Sequence, residues 1–142
     1  MNNMSNLYRQ VIMDHYKSPR NKGLIGSGKQ NHLRNPSCGD DITVEVEIEN
    51  NKIKHLHHDG TGCSICCSSA SVMSEVLTGK DVEEAKNIIK DYCNMIKGEE
   101  VENEDALEEA LVYQGVSAFP ARMKCATIAW KAVEELLGED DE

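Results

Sequence analysis

Three separated segments of this chain each carry a cysteine beside polar or charged residues. The cysteines are Cys38, Cys63 and Cys125, in the segments 35–40, 59–70 and 119–125. Thiolates and carboxylates are ligands of tetrahedral ions such as zinc. Together with Asp40 the three cysteines would supply four donors, so the sequence predicts that these segments meet around one metal ion. Four anionic ligands exceed the charge of zinc, and Arg122 and Lys124 could offset the excess.

Each of these cysteines also has a structural interpretation. In Cys38-Gly39-Asp40 the glycine lets a thiolate and a carboxylate turn toward one ion, yet Pro, Gly and Asp also form ordinary turns. Cys63 comes where a helix is predicted to begin, and the unpaired N–H groups of a first turn favour a thiolate. Cys63 and Cys125 both precede buried helices, so either could be an ordinary core cysteine.

The remaining cysteines and the histidines are weaker candidates. Cys66 and Cys67 lie on the same helical face as Cys63 and are either extra thiols near the site or packing residues, with packing favoured. Cys93 is predicted to be a core residue. A metal site at His55, His57 and His58 is disfavoured, because these histidines lie in or beside a strand with polar alternation.

Composition and charge exclude several functional classes. With 142 residues the chain is predicted to form one domain, 1–142, and a net charge of −10 argues against a nucleic-acid partner. The first residues lack a signal-peptide pattern, and no apolar run approaches the roughly 18 residues of a membrane span. These features predict a cytoplasmic protein. In a reducing compartment its six cysteines would serve metal or thiol chemistry.

Hydrophobic periodicity predicts an α+β protein. Apolar residues at helical spacing indicate a helix over 4–16, and residues 17–37 form an irregular connection. Alternation over 42–48 predicts a strand with one dry face and one wet face, the latter carrying Thr43, Glu45 and Glu47. Asn50-Asn51 would turn the chain into a return strand over 52–58, and part of 29–35 would add a third strand.

Helices are predicted for most of the remaining chain. A buried helix follows Gly62 and ends at Gly79, and Asp81 with Glu84 resembles a capping box that opens a second helix, closed by Gly98. Residues 99–111 are acidic and form a short helix or a mobile loop. Pro120 is well placed to open the last helix, which leads to an acidic tail over 138–142.

Four motifs match one known pattern in order and in local sequence. They are residues 7–16 (LYRQVIMDHY), 35–40 (NPSCGD), 62–65 (GCSI) and 114–127 (QGVSAFPARMKCAT). They resemble the SufU branch of the IscU-like, NifU N-terminal-like iron–sulfur cluster assembly proteins. The resemblance implies an α+β fold in which a small three-stranded antiparallel sheet packs against several helices, with a metal site at one end.

The resemblance also implies a ligand set and a branch of the family. It maps Cys38, Asp40, Cys63 and Cys125 onto the zinc ligands of that family. In the scaffold branch a histidine precedes the last cysteine, whereas this chain has Lys124. Residues 97–113 fit an insertion that is typical of the SufU branch. Both features imply sulfur transfer rather than cluster scaffolding.

The implied activity is a zinc-dependent sulfurtransferase that works with a cysteine desulfurase of the SufS type. A histidine of that partner would displace one thiolate, Cys38 would accept the persulfide sulfur, and Arg122 would steer or stabilise the thiolate. Downstream cluster scaffold proteins would be further partners. An alternative is a scaffold that assembles an iron–sulfur cluster on the same ligands, and a third is a structural zinc domain. Cys66-Cys67 departs from the family pattern, which carries no thiols there.

Overall fold

A three-stranded antiparallel sheet with helices packed against it forms the fold. The computed structural model describes residues 3–139. Its elements, in chain order, are α1 (Asn3–Lys17), β1 (Lys29–Asn35), β2 (Asp40–Glu49), β3 (Lys52–Thr61), α2 (Ser64–Leu77), α3 (Val82–Lys97), a 3-10 helix (Glu104–Ala118) and α4 (Pro120–Glu139). The predicted α+β class and the predicted sheet are confirmed. None of the described helices has both the length and the apolar character needed to cross a bilayer.

The sheet has the strand order β1-β2-β3, and its register brings the ends of the strands together near the cysteine segments. Asn35 at the end of β1 pairs with Asp40 at the start of β2. Asp41 pairs with Thr61 at the end of β3. The loop that carries Cys38 and the entry to α2 therefore lie at one end of the sheet. At the other end Asn50 and Asn51 have φ values of 56° and 63°, and this hairpin turn needs positive φ at both central residues.

The core lies between the sheet and the helices. Ile42, Val44 and Val46 alternate along β2 and are buried, as the sequence predicts. Helix α4 packs on β1 and β2, while α2 packs on β3 and on α1. At the centre the ring of Trp130 stacks on that of Tyr92, with ring centroids 3.9 Å apart. These contacts fix α2 and α4, the two helices that carry Cys63 and Cys125, against the same sheet.

Two local predictions about the helices need correction. Asp81 occupies the N-cap position of α3, but its side chain makes no capping hydrogen bond. The predicted capping box is therefore wrong, and the first helical N–H, that of Val82, is satisfied by a tertiary contact to the carbonyl of Asn51 at 3.0 Å. Residues 104–118 form a 3-10 helix that is kinked at Glu108, longer than the short element predicted there. Of the predicted acidic tail, residues 140–142 lie outside the described part of the chain.

Glu45 contradicts the predicted wet face of β2, because it is only 2% exposed. Its carboxylate accepts the backbone N–H groups of four successive residues at 3.0–3.1 Å, and it also accepts the side-chain amide of Gln30. The four residues are Ile25, Gly26, Ser27 and Gly28. Burial opposes ionisation of Glu45, but these hydrogen bonds outweigh it and hold the pKa below its ordinary value. One charged side chain thus orders the irregular segment that precedes β1.

We expect Glu45→Gln to lower the free energy of unfolding by about 1–3 kcal/mol at pH 7, because an amide replaces a buried carboxylate that accepts five N–H groups. The pKa of Glu45 is lower in the folded state, so its stabilisation is present above the ordinary glutamate pKa. That stabilisation is lost as the pH falls through the folded pKa, and the difference between mutant and wild type should shrink accordingly.

Urea unfolding at a series of pH values from neutrality to well below the ordinary glutamate pKa, down to about pH 3, would measure this difference. Glu47→Gln is the matched control on the same strand, since the Glu47 carboxylate accepts one long hydrogen bond of 3.4 Å from Ser27. An equal loss of stability in both variants, or a loss that does not change with pH, would contradict the assignment.

Candidate metal centre

Cys38 and Asp40 reach the site from the tight turn between β1 and β2. The N–H groups of Cys38 and Gly39 both donate to the carbonyl of Asn35, at 3.2 and 2.9 Å. Gly39 has a φ of 75°, in the region that glycine adopts without strain. The turn leaves the Cys38 side chain partly exposed, with its thiol directed toward the carbonyl of Ala121 at 3.8 Å. Asp40, the first residue of β2, is only 1% exposed.

The structure brings Cys38, Asp40 and Cys125 together. One ligand atom from each, two sulfurs and a carboxylate oxygen, lie within 4.8 Å of one another. Cys125 lies near the start of α4 and is 1% exposed, so the cluster has two buried donors and one that solvent can reach. These residues come from distant parts of the chain, and their meeting is what the sequence predicts.

Cys63 lies beside this group and contacts it, but its sulfur is not within the same distance of all three donors. It occupies the N-cap position of α2, with its sulfur accepting the N–H of Cys66 at 3.5 Å. Its own N–H donates to the Asp40 carboxylate at 3.1 Å, and its thiol is hydrogen-bonded to that of Cys125. Its role as the fourth ligand stays a prediction.

Two residues that sequence reasoning quoted without a role hold the Asp40 carboxylate in place. The Asn35 side-chain amide donates to Asp40 at 3.3 Å and also lies 4.0 Å from the Cys125 sulfur. Gly62 passes so close that a Cβ there would lie 2.6 Å from an Asp40 carboxylate oxygen. Both residues belong to the motifs around Cys38 and Cys63, and their position in these motifs is the sequence signal that could have identified them.

A buried hydrogen-bond network fixes the helix that carries Cys125. The carbonyl of Ala126, the next residue, accepts the Ser69 hydroxyl at 2.7 Å and the Tyr92 hydroxyl at 2.8 Å. The Trp130 indole N–H donates to Ser69 at 2.8 Å. Side chains from α2, α3 and α4 thus meet at the backbone beside Cys125, which leaves the position of its sulfur little freedom.

The electrostatics of the cluster favour a bound cation. Burial raises the pKa of the Cys125 thiol, and its hydrogen bonds with Asp40, Cys38 and Cys63 raise it further. Arg122 is exposed, and its hydrogen bond to Cys125 raises the pKa of its guanidinium, with help from the charge of Cys63. The groups that donate to Asp40, namely the Asn35 amide, the Cys63 N–H and the Cys125 thiol, are neutral and do not compensate a buried negative charge. A divalent cation at this donor set would do so and would favour the ionised thiols.

The other thiols and histidines have different surroundings. Cys66 is fully buried beside the cluster, and a hydrogen bond from Cys66 lowers the pKa of Cys67 to about 7. Cys67 is half-buried and faces away, into a cavity of about 400 Å³ that it shares with Lys22 and His58. Burial lowers the pKa of His58, whose ring nitrogen donates to the carbonyl of Arg20 at 2.7 Å. Cys93 is a buried core residue.

Sequence comparisons relate the chain to one domain family and to relatives named for sulfur transfer and iron–sulfur cluster assembly. Residues 7–126 match the family described as the NifU-like N terminal domain. The chain is 42% identical to the zinc-dependent sulfurtransferase SufU of Bacillus subtilis (strain 168), over 98% of this chain and 95% of that protein. It is 35% identical to the iron–sulfur cluster assembly scaffold protein IscU of Streptococcus pyogenes serotype M1, over 96% and 86% of the two chains.

Solved structures agree with this placement. A crystal structure from Fervidobacterium islandicum, described as a candidate iron–sulfur cluster assembly scaffold protein for the SUF system, superposes with a TM-score of 0.86 at 33% identity, covering 90% of this chain and 94% of that one. A NifU-like N-terminal structure from Brucella abortus superposes with a TM-score of 0.84 at 16% identity, covering 98% and 99%, and supports the fold alone. From its motifs, its fold and these similarities, the chain belongs to the NifU-like N-terminal domain family.

Proposed function

We propose that this protein is a zinc-dependent sulfurtransferase that accepts persulfide sulfur from a cysteine desulfurase and passes it on for iron–sulfur cluster assembly. The observation that carries the proposal is the asymmetry of the cluster. Cys38 is partly exposed, while Asp40 and Cys125, within 4.8 Å of it, are buried. Within this group of three, only the Cys38 thiol is accessible to a partner, while the two buried donors stay in place.

The zinc ligands of this proposal are Cys38, Asp40, Cys63 and Cys125. Three thiolates and one carboxylate suit a four-coordinate zinc ion, and thiolates select zinc over the harder magnesium and calcium ions. When bound, zinc would act as a Lewis acid that keeps the thiols ionised at neutral pH. Asn35 and the N–H of Cys63 would orient the Asp40 carboxylate from behind, as residues around metal ligands commonly do.

Cys38 is the nucleophile of the proposed transfer. Its sulfur attacks the outer sulfur of the persulfide of the partner, a new S–S bond forms on Cys38, and the sulfur of the partner leaves as a thiolate. Thiolate rather than thiol is the reactive form, and Arg122 offers a positive charge close to the sulfurs. Because Cys38 lies on a turn rather than within a helix or strand, its side chain can move toward a partner without disturbing the sheet.

Such a role requires a sulfur-donor partner, and we assign that part to a cysteine desulfurase of the SufS type. Cluster scaffold proteins are the proposed downstream acceptors. All six cysteines are free thiols in the structure, which suits a reducing compartment such as the cytoplasm. The partner has to bring its persulfide to the exposed edge of the cluster, where Cys38 and Arg122 lie.

Assembly of an iron–sulfur cluster on the same ligands is the second candidate, favoured by the similarity to IscU proteins. Three thiols and Asp40 could also hold iron. Lys124 stands where the scaffold branch has a histidine, and an ammonium group has no lone pair to offer a metal. Metal analysis with a visible absorption spectrum separates the two: zinc without visible absorption supports transfer, whereas iron and sulfide with broad absorption supports the scaffold.

We expect Asp40→Ala to weaken zinc binding by at least about tenfold, since it removes a buried donor that two other groups hold in place. Competition with a chromophoric chelator would measure the affinity. Asp41→Ala is the matched control, because the Asp41 carboxylate is half-exposed and pairs with His32 and Arg34 instead. Equal affinities in both variants would remove Asp40 from the ligand set.

We expect Cys38→Ala to abolish the stimulation of a SufS-type desulfurase, so that its rate of alanine formation from cysteine returns to that of the desulfurase alone. Cys93→Ala is the matched control, as it removes a cysteine buried in the core. Thermal unfolding of both variants tests a purely structural zinc site. If Cys38→Ala lowers the unfolding temperature but the folded variant still stimulates the desulfurase, the zinc site is structural and transfer through Cys38 is wrong.

We expect Arg122→Ala to lower the transfer rate severalfold and to leave the zinc content unchanged, because its guanidinium lies beside the sulfurs but is not a ligand. Arg122→Lys keeps the positive charge and should recover most of the rate. The measurement is desulfurase stimulation at increasing salt, which should narrow the difference between wild type and Arg122→Ala. Loss of zinc in Arg122→Ala would instead indicate a structural role.

A further inference from the structure

The proposed function leaves Cys66 unused, although it lies next to a proposed ligand. Helix α2 opens with Cys63-Ser64-Ile65-Cys66, two cysteines separated by two residues. Cys63 is the N-cap residue, with an extended backbone of φ −71° and ψ 170°, and Cys66 lies in the first turn. The Cys66 N–H donates to the Cys63 sulfur at 3.5 Å, so that sulfur already points along the first turn toward Cys66.

This spacing is compatible with a disulfide bond. The Cα atoms of residues one helical turn apart are separated by about 5 Å. This lies within the range of about 4.4–6.8 Å over which a disulfide joins two Cα atoms. Because Cys63 precedes the helix proper, its side chain can adjust without breaking helical hydrogen bonds. The N–H of Cys67 donates to the Cys63 carbonyl at 3.0 Å, which keeps this first turn closed.

The two sulfurs differ in access. Cys63 is half-buried, whereas Cys66 is fully buried, at 0% exposure. An external reagent can therefore reach the Cys63 sulfur but not that of Cys66. In thiol–disulfide exchange the exposed thiol of a pair reacts first, and the buried one then resolves the mixed disulfide.

We propose that Cys63 and Cys66 form a dithiol site that is oxidised to an intrachain disulfide by low-molecular-mass disulfides. The Cys63 thiolate attacks the small disulfide, forming a mixed disulfide and releasing one small thiolate. Cys66 then attacks the Cys63 sulfur as its proton passes to the departing small thiolate, which leaves as the second small thiol. Two electrons pass from the cysteine pair to the reagent, and a small dithiol reverses the reaction.

Cys67 could in principle pair with Cys63 or with Cys66, and the geometry disfavours both bonds. Its sulfur contacts the carbonyl of Gly62 at 3.6 Å and faces the cavity that contains Lys22 and His58. Neighbouring residues on a helix point about 100° apart, so a bond between Cys66 and Cys67 would require the helix to unwind. The cavity side of α2 thus keeps one free thiol while the cluster side carries the pair.

Oxidation would remove one donor from the proposed zinc site, and this consequence rests on the proposed function. With Cys63 in a disulfide, Cys38, Asp40 and Cys125 remain, one ligand short of a closed tetrahedral site. Formation of the disulfide should therefore release zinc. Sulfur transfer would then stop under oxidising conditions and resume after reduction and reloading.

Peptide mapping of the purified full-length protein tests the pair. The protein is treated with oxidised glutathione, its remaining thiols are blocked with a maleimide, and it is digested with trypsin. Residues 55–80 form one peptide that contains Cys63, Cys66 and Cys67 and no other cysteine. We expect this peptide to lose two hydrogens and to carry a single maleimide, on Cys67. A maleimide on Cys63, or a link from this peptide to one containing Cys38, overturns the pair.

Two variants and the metal make the result specific. Cys66→Ser should trap a glutathione adduct on Cys63, while Cys67→Ser should form the intrachain disulfide as the wild type does. Loss of the disulfide in Cys67→Ser would overturn the assignment, and the wild-type map stands even if Cys66→Ser does not fold. Zinc release, followed with a chelator, should keep pace with the disulfide. If the reduced protein takes up no zinc and yet forms the disulfide with oxidised glutathione, the pair is supported and the zinc site is contradicted. If zinc-loaded protein forms no disulfide under the same treatment, the pair alone is overturned.

Discussion

The buried carboxylate of Asp40 is the constraint on which the site depends. It lies at the first position of β2, and it accepts one hydrogen bond from the entry to α2 and another from the end of β1. A charged group that is 1% exposed needs compensation, and the groups that donate to it are all neutral. The close passage of Gly62 leaves no room for a larger residue at that point. The same carboxylate therefore joins three chain segments and creates the electrostatic demand that a cation would meet.

The sheet brings residues that are distant in the sequence close together in space. Pairing of Asn35 with Asp40 and of Asp41 with Thr61 brings the turn before β2 and the exit of β3 to one end of the sheet. Only Cys125 arrives from elsewhere, and the hydrogen bonds of Ser69 and Tyr92 to the neighbouring carbonyl fix it there. A change of one residue in the register would move Asp40 away from Cys63. The register that packs the core therefore also sets the geometry of the site.

Residue type and spacing made the segments of the site predictable. The burial of Glu45, the start of α3 and the distances among the cysteines depend on tertiary contacts instead. The hydrophobic alternation of β2, the Asn50-Asn51 turn and the first residue of α4 follow from residue type and spacing, and the structure has all three. Glu45 was wrongly assigned to a wet face, because alternation cannot show that residues 25–28 fold over it. Asp81 caps no N–H group, and the first N–H group of α3 donates instead to Asn51, thirty residues away. The distances among the cysteines likewise depend on how α4 packs, which no local pattern contains.

The start of α2 carries both a proposed metal ligand and a proposed redox pair, and the reason is geometric. An N-cap residue has an extended backbone and a side chain directed back over the first turn, so the Cys63 sulfur meets both the start of α4 and its own helix. Toward α4 the Cys63 sulfur faces Cys125, and toward its own helix it faces the N–H of Cys66. If Cys63 is the fourth ligand, as we propose, a small rotation takes its sulfur out of the cluster and brings it to a second thiol within one helical turn. A cysteine at position 66 would then give a metal ligand a redox partner without changing the backbone.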